Sequence, residues 1–371
     1  MRIGVPKEIK PHEYRVGPTP GSLREYVAAG HTVIVEAGAG AGIGADDEAY
    51  RKAGAVIADT AEEIFASAGM IVKVKEPQAS EWSELREGQI LFTYLHLAPD
   101  PEQTRGLLAS RCTAIAYETV TDARGGLPLL APMSEVAGRL AIEAAGAALQ
   151  RHAGGRGVLL GGVPGVPPAH VVVIGGGVVG THAARMAAGL GAEVTILDRS
   201  LPRLRELDEL FSGRVRTRFS TIDAVESEVF AADVVIGAVL IPGASAPKLV
   251  TRQMLGSMRR GAVVVDVAID QGGCFETSKA TTHANPTYEV DGIVHYCVAN
   301  MPGAVPLTSS YALNNATLPF GIALAEKGLR ALAENAHLRA GLNIHSGQVT
   351  NKAVADSLGL TFVPPEQAVA A

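Results

Sequence analysis

The most constraining feature is a glycine-rich turn set between an apolar strand and a helix. His170-Val171-Val172-Val173-Ile174 leads into Gly175-Gly176-Gly177-Val178-Val179-Gly180, and a helical stretch covers 178–190. Gly175 permits the tight turn, Gly177 lets backbone come close to a pyrophosphate, and Gly180 lets helix and strand pack. The first N–H groups of the helix face an anion at its N-terminus. A lone G-x-G-x-x-G is weak evidence, but the strand before it and the helix after it give it context. Eighteen residues beyond Gly180, the run Glu193-Val194-Thr195-Ile196-Leu197 ends on Asp198. A carboxylate there accepts hydrogen bonds from a ribose diol and repels a 2′-phosphate, which favours NAD over NADP. Arg199, Arg203 and Arg205 lie close by and could blunt that choice, or simply form a solvated helix face.

Short β-branched runs alternate with helical patterns along most of the chain, which predicts parallel sheets joined by crossover helices. Strands are expected at 2–5, 32–36, 70–75, 90–94 and 113–116, with helices at 22–29 and 45–53 between them. A long helix capped by Ser134 is expected over 134–151, followed by a Gly/Pro-rich stretch, 154–168, that reads equally as linker or shaped loop. Six further strands, at 171–174, 193–197, 215–219, 233–239, 262–267 and 294–298, suit a doubly wound dinucleotide fold. The remainder, 307–371, reads as helical with no strand of its own, so it must pack on something. The expected architecture is α/β: two doubly wound parallel-sheet domains, the second a Rossmann domain, with the active site in the interdomain cleft. The boundaries are 1–132 plus 307–371 for a discontinuous substrate domain, and 133–306 for the NAD-binding domain. A second glycine run, Gly38-Ala39-Gly40-Ala41-Gly42-Ile43-Gly44, breaks the G-x-G-x-x-G spacing and reads best as a close-packed loop.

Composition closes off other classes. Thirty-two basic residues against 38 acidic ones give a net charge of −6, so nothing draws the whole chain to nucleic acid or anionic membranes. No apolar run approaches the roughly 20 residues that span a bilayer. The opening residues lack the apolar core of a secretory signal, so a cytoplasmic location is expected. Cys112, Cys274 and Cys297 are few, odd in number and far apart, which suggests neither a disulfide framework nor a zinc site.

A nicotinamide enzyme must hold its substrate beside the ring and manage a proton for each hydride. Arg15, just past the first strand, offers a fork for a carboxylate, or an ion pair to Glu8 or Glu13. Lys75 closes Ile71-Val72-Lys73-Val74-Lys75 and is either a substrate ligand or a solvated lysine beside Glu76. His96 closes Ile90-Leu91-Phe92-Thr93-Tyr94-Leu95-His96, where it suits general acid/base work or a bond to a nearby carbonyl. Asp270, Asn300 and Met301 follow late strands of the second series. Asp270 could equally form the turn before Gly272-Gly273, and Met301 could be core filler.

Segments 2–7, 15–20, 72–77, 91–98, 131–135, 154–168, 175–180, 266–273 and 296–302 together resemble the alanine dehydrogenase family, within the alanine dehydrogenase/transhydrogenase N-terminal superfamily. The resemblance covers essentially the whole chain. It implies reversible oxidative deamination of L-alanine to pyruvate and ammonium with NAD. It implies that Arg15 and Lys75 bind the substrate carboxylate and keto oxygen, that His96 is the acid/base, and that Asp270 assists proton transfer through water. Ser134, Gly175, Gly177, Val178, Val179, Gly180, Asp198, Arg203, Ser220, Val239, Leu240, Val267, Ala268, Ile269, Asp270, Lys279, Val298, Ala299, Asn300 and Met301 fall at its cofactor positions. A homohexamer is implied as well. Pro18 stands where a larger aliphatic residue is commoner, and Lys279 where some relatives carry Arg. The acidic residue and histidine that hold magnesium in some relatives are missing from 323–327, so no metal is expected. Closure of the two domains is expected to gate turnover. Two further readings stay open: a relative acting on another 2-oxo acid such as glyoxylate, and the NAD-binding module of a membrane transhydrogenase. Arg15, Lys75 and His96 together argue against the module.

Overall fold

The computed structural model describes residues 1–239 and 246–370. In chain order the strands are β1 (Arg2–Val5), β2 (Thr32–Glu36), β3 (Val56–Ala58), β4 (Met70–Val72), β5 (Ile90–Thr93), β6 (Thr113–Ala116), β7 (His170–Ile174), β8 (Glu193–Asp198), β9 (Arg216–Phe219), β10 (Val234–Gly237), β11 (Val263–Asp266), β12 (Thr287–Val290), β13 (Ile293–Tyr296), β14 (Leu342–His345) and β15 (Gln348–Val349). Among the described residues they form one sheet of eight strands and one of seven. The chain divides into two compact units, Met1–Met133 with Gly303–Ala371, and Ser134–Pro302.

In the first unit the strand order is β3-β2-β1-β4-β5-β6-β14-β15. β1 to β6 all pair in parallel. β4, β5 and β6 are buried along their whole length, because a parallel sheet is covered on both faces, and their sequences are accordingly almost unbroken apolar runs. The winding reverses between β1 and β4. In open α/β sheets the crevice beyond the strand ends at such a reversal is where ligands bind. Arg15 follows β1, Lys75 follows β4 and His96 follows β5, so topology gathers these three at one end of the sheet. The helix Pro20–Ala28 starts where Thr19 accepts the Ser22 N–H and Pro20 supplies a helical φ.

The C-terminal stretch corrects one expectation. It is not purely helical: β14 pairs antiparallel with β6, and β15 pairs antiparallel with β14. The turn between them is Ser346-Gly347, with φ of 49° and 79°. Two residues with positive φ make the tight hairpin turn that matches strand twist. Val349 belongs to this hairpin, and the following helix is Lys352–Leu358, capped by Asn351.

The second unit has the order β9-β8-β7-β10-β11-β13-β12. β7 to β11 and β13 are parallel and wind as a Rossmann sheet, and β12 adds an antiparallel edge. The helix Val178–Gly189 lays Ala183, Ala184, Ala187 and Ala188 on the sheet. Small side chains there let the helix sit close to β7. β9 carries Arg216 and Arg218 along an edge, where charge blocks further strand pairing. The long helix runs Ala131–Ala148, not 134–151. Ser134 therefore lies inside its first turns and is not its cap. Pro132, which suits a first helical turn, marks the true start. Residues 154–168 are a shaped loop: Val163 and Val166 bridge across Pro164-Gly165.

The 38–44 loop is close-packed, since a Cβ on Gly42 would lie 2.1 Å from the Tyr14 carbonyl oxygen. The three cysteines are buried free thiols. Among the described residues, no helix is long and apolar enough to cross a membrane, and no group of three or more His, Cys, Asp and Glu is assembled to hold a metal ion.

Candidate active site

In the first unit the loop after β4 is built around a buried lysine. Lys73 is 1% exposed, and its Nζ lies 3.3 Å from Glu8 and 2.5 Å from Glu81. Burial opposes its charge, yet the two carboxylates push its pKa up. Glu8 also accepts the Val74 N–H at 2.7 Å, and Glu81 accepts the Gln78 N–H at 2.7 Å. Residues 73–78 are thereby pinned at both ends, and Lys75 projects from a fixed backbone.

Arg15 is 2% exposed. Its Nε and Nη2 donate to the two oxygens of Glu13 at 2.7 and 2.5 Å, and its Nη1 contacts Met133 Sδ at 3.1 Å. The ion pair weighed for Arg15 in the sequence is thus formed, to Glu13. It orients the guanidinium by one edge. Burial disfavours the charge, but the Glu13 bonds outweigh it, and the guanidinium pKa is raised.

His96 has φ of +49°, a left-handed conformation uncommon for a residue with a side chain. Its N–H donates to Glu118 Oε1 at 2.7 Å and the Leu95 N–H donates to the same carboxylate at 3.2 Å, which holds the turn. The imidazole stacks on the Tyr94 ring at 5.7 Å between centroids. Its Nδ1 lies 3.6 Å from Glu76 Oε2, not on a backbone carbonyl. Lys75 Nζ lies 3.5 Å from the same oxygen. The structure thus brings Lys75 and His96 together around Glu76. Sequence reading treated that glutamate only as a neighbour of Lys75.

In the second unit the glycine turn has the shape a dinucleotide needs. Gly175 has φ of +105°. A Cβ on Gly180 would sit 1.8 Å from the Gly175 carbonyl oxygen, whereas one on Gly177 would meet nothing within 4 Å. The turn is therefore closed on its inner side and open where an anion would rest against the N–H groups of Val178 and Val179. Gly180→Ala is expected to force helix and strand apart and weaken NADH binding at least tenfold, an overpacking cost of about 1–3 kcal/mol; NADH titration by fluorescence measures it, and unchanged affinity would contradict this geometry.

Asp198 ends β8, half-buried. Its Oδ2 accepts the Gly176 N–H at 2.7 Å and its Oδ1 accepts the Ser200 N–H at 2.7 Å. Arg203 is not a solvated helix residue: its Nε donates to the Gly176 carbonyl at 2.8 Å and its Nη2 to Thr181 Oγ1 at 2.8 Å. Asp198 thus accepts the N–H of Gly176 while Arg203 donates to its carbonyl, so the two side chains hold the peptide units on either side of this glycine. Ser220 is buried and donates its N–H to the Asp198 carbonyl.

Val267, Ala268, Ile269 and Asp270 form a short 3₁₀ turn after β11, closed by backbone bonds from Gly272 and Gly273 to the carbonyls of Ile269 and Ala268. The Asp270 carboxylate is exposed. Buried Asp266 anchors this loop by accepting the Cys274 and Phe275 N–H groups and the Ser278 hydroxyl, and burial raises its pKa. Lys279 places its Nζ 4.4 Å from the Tyr288 ring centroid. After β13, Val298 is buried, and Asn300 has φ of +59° with its carbonyl 3.2 Å from His283 Nε2. The Ala299 N–H donates to Thr281. Met301, 3% exposed, packs into the core of the unit. Ser134 and Val239 are half-buried, and Leu240 lies outside the described residues.

Comparison with known proteins agrees along the whole chain. Residues 4–137 match the family model "Alanine dehydrogenase/PNT, N-terminal domain", and residues 141–352 match "Alanine dehydrogenase/PNT, C-terminal domain". A protein named alanine dehydrogenase from Halomonas elongata is 61% identical over 364 residues, 98% of each chain. A solved L-alanine dehydrogenase superposes with a TM-score of 0.94 at 52% identity, covering 97% of this chain and 99% of that one. A transhydrogenase from Sinorhizobium meliloti superposes with a TM-score of 0.81 at 28% identity, covering 94% of this chain and 100% of that one.

Proposed function

Since the chain belongs to the alanine dehydrogenase/PNT family, we propose that it catalyses the NAD-dependent, reversible oxidative deamination of L-alanine. In balanced form, L-alanine, NAD⁺ and water give pyruvate, ammonium, NADH and a proton. The observation that carries this reading is the pairing of Lys75 and His96 around one carboxylate at the end of a sheet whose neighbouring loop presents Arg15. A cation for a keto oxygen, an imidazole for a proton and a guanidinium for a carboxylate are what a small 2-oxo acid requires.

In the amination direction, Arg15 holds the pyruvate carboxylate with its guanidinium. Lys75 points its ammonium at the keto oxygen. Negative charge develops on that oxygen as ammonia adds, and Lys75 with protonated His96 stabilises it. His96 gives its proton from Nε2 as water departs, since its Nδ1 side faces Glu76. By resemblance to the family, Asp270 assists proton transfer through water. The residues that fit a nicotinamide dinucleotide are the open turn at 175–180 for the pyrophosphate and Asp198 for the ribose; when bound, the cofactor supplies the hydride that reduces the iminium carbon. By resemblance to the family, Val267, Ala268, Ile269, Val298, Ala299, Asn300 and Met301, with Ser134, Arg203, Ser220, Val239, Leu240 and Lys279, would help hold the cofactor. We further propose a cytoplasmic homo-oligomer of six subunits, by resemblance to the family; light scattering on the purified chain tests the number.

The choice of NAD rests on Asp198, which supports two backbone N–H groups while keeping lone pairs for a diol. Asp198→Ser is expected to cut the preference for NAD over NADP at least tenfold, partly by weakening NAD, because the Gly176 N–H loses its acceptor at about 1–3 kcal/mol. Measured kcat/KM for both cofactors decides this, and an unchanged ratio would remove Asp198 from the ribose site.

The reading as a whole is tested by NADH oxidation with ammonium and pyruvate, glyoxylate or 2-oxobutyrate. Pyruvate is expected to give the highest kcat/KM, with L-alanine the amino acid oxidised in reverse. A higher value for glyoxylate would reassign the substrate. NADH binding with no turnover would make the chain a dinucleotide-binding module.

A further inference from the structure

Three cationic or protonatable groups from three separate loops meet at the Glu76 carboxylate. Lys10, after β1, pairs with Oε1. Lys75 and His96, after β4 and β5, face Oε2 at 3.5 and 3.6 Å. The Glu76 side chain is only 12% exposed, and Oε2 is buried without a hydrogen bond. Such an oxygen is costly unless charge compensates it. Burial pushes the Glu76 carboxyl up, but His96, Lys75 and Lys10 together hold it well below the usual carboxylate range. It is therefore ionised throughout the range in which the enzyme would work.

The arrangement differs from a surface ion pair. Lys10 fixes one oxygen and so limits rotation of the carboxylate. The other oxygen is shared by two side chains assigned above to the substrate. Both separations are slightly longer than a hydrogen bond, and catalytic hydrogen bonds are often long before substrate arrives. A carboxylate on Nδ1 orients an imidazole and leaves Nε2 to exchange the proton, as the third member of a catalytic triad does for its histidine.

We propose that Glu76 is a positioning residue that aims His96 Nε2 and the Lys75 ammonium at the same 2-oxo acid. This rests on the reaction assigned above. Without Glu76, the imidazole, already 40% exposed, keeps only its stacking on Tyr94, and the ammonium loses its anchor. The proton donor and the oxyanion partner would then drift independently. A misplacement of about 1 Å costs on the order of a hundredfold in rate.

The test is a set of variants assayed as full chains for NADH oxidation with pyruvate and ammonium. Glu76→Gln keeps the shape and removes the charge. It is expected to lower kcat about a hundredfold, to raise KM for pyruvate through Lys75, and to leave KM for NADH unchanged. Glu76→Asp retains the carboxylate and is expected to recover at least part of that kcat. In a His96→Ala background, Glu76→Gln is expected to cause a much smaller further fall in kcat than it causes alone, with KM for pyruvate still raised, a non-additivity that a merely structural role would not produce. Should the glutamine variant fail to fold, the aspartate variant alone and in the His96→Ala background carries the same comparison. Wild-type kcat in Glu76→Gln, or a loss that multiplies with that of His96→Ala, overturns the proposal and leaves the assigned reaction standing. A wild-type chain without turnover overturns both.

Discussion

His96→Ala is expected to lower kcat for pyruvate amination by at least a hundredfold while NADH binds as before. A positioned general acid contributes roughly 10²–10⁴ in rate, and His96 is the side chain to which the proposed reaction gives that role. The structure adds reasons to expect the full effect. The backbone at His96 is held in a left-handed conformation by Glu118, and such a conformation costs about 1–3 kcal/mol unless its surroundings enforce it. The ring is held between Tyr94 and Glu76. Removing the side chain leaves the second unit's glycine turn, Asp198 and Arg203 untouched, so dinucleotide affinity should not move. Steady-state kinetics and NADH titration separate the two effects. Wild-type kcat in a folded His96→Ala protein would remove the imidazole from the chemistry.

The second large effect concerns Arg15. Its guanidinium is bound bidentately by Glu13, whose side chain is 0% exposed. Arg15→Ala would therefore do two things at once. It would remove the carboxylate-binding cation, and it would strip a buried glutamate of the charge that balances it, a loss of about 3–5 kcal/mol of stability. Arg15→Lys separates these effects. The ammonium still balances Glu13, but a point charge cannot reach Glu13 and a substrate carboxylate with the same fork. Losing one charge-assisted hydrogen bond costs about 1.5–3 kcal/mol, so KM for pyruvate is expected to rise about 10- to 150-fold while kcat changes little. Thermal unfolding should show Arg15→Lys near wild type and Arg15→Ala well below it. A folded Arg15→Lys with unchanged KM would show that Arg15 is a structural partner of Glu13 and no more.

Much of this was legible in the sequence because doubly wound sheets write themselves as repeated apolar runs. Among the foreseen strands, β5 and β11 are buried along their whole length, and three of the four residues of each are apolar. The hairpin of β14 and β15 was not legible. Its first strand, Leu342-Asn343-Ile344-His345, mixes apolar and polar residues, its second is two residues long, and its turn signal is the single pair Ser346-Gly347. The start of the long helix was misplaced because Ser134 is a good cap by type, whereas Pro132 was the better boundary mark. At the site, Arg15, Lys75 and His96 stood out as polar residues closing apolar runs. The partners that orient them did not. Glu76 lies 20 positions from His96 and 66 from Lys10, and nothing in a linear pattern says that three loops share one carboxylate. Lys73 was hidden for the opposite reason, since it sits in an apolar run and owes its burial to Glu8 and Glu81 across the crevice end of the sheet.

The central claim proposed above is that Arg15, Lys75 and His96 act on one 2-oxo acid. The most direct measurement is a crystal structure of the protein with pyruvate and NADH. The expected density places the pyruvate carboxylate on the Arg15 guanidinium and the keto oxygen within hydrogen-bond distance of Lys75 Nζ and His96 Nε2. Pyruvate bound elsewhere, or Arg15, Lys75 and His96 facing solvent while NADH occupies the glycine turn, would contradict the account.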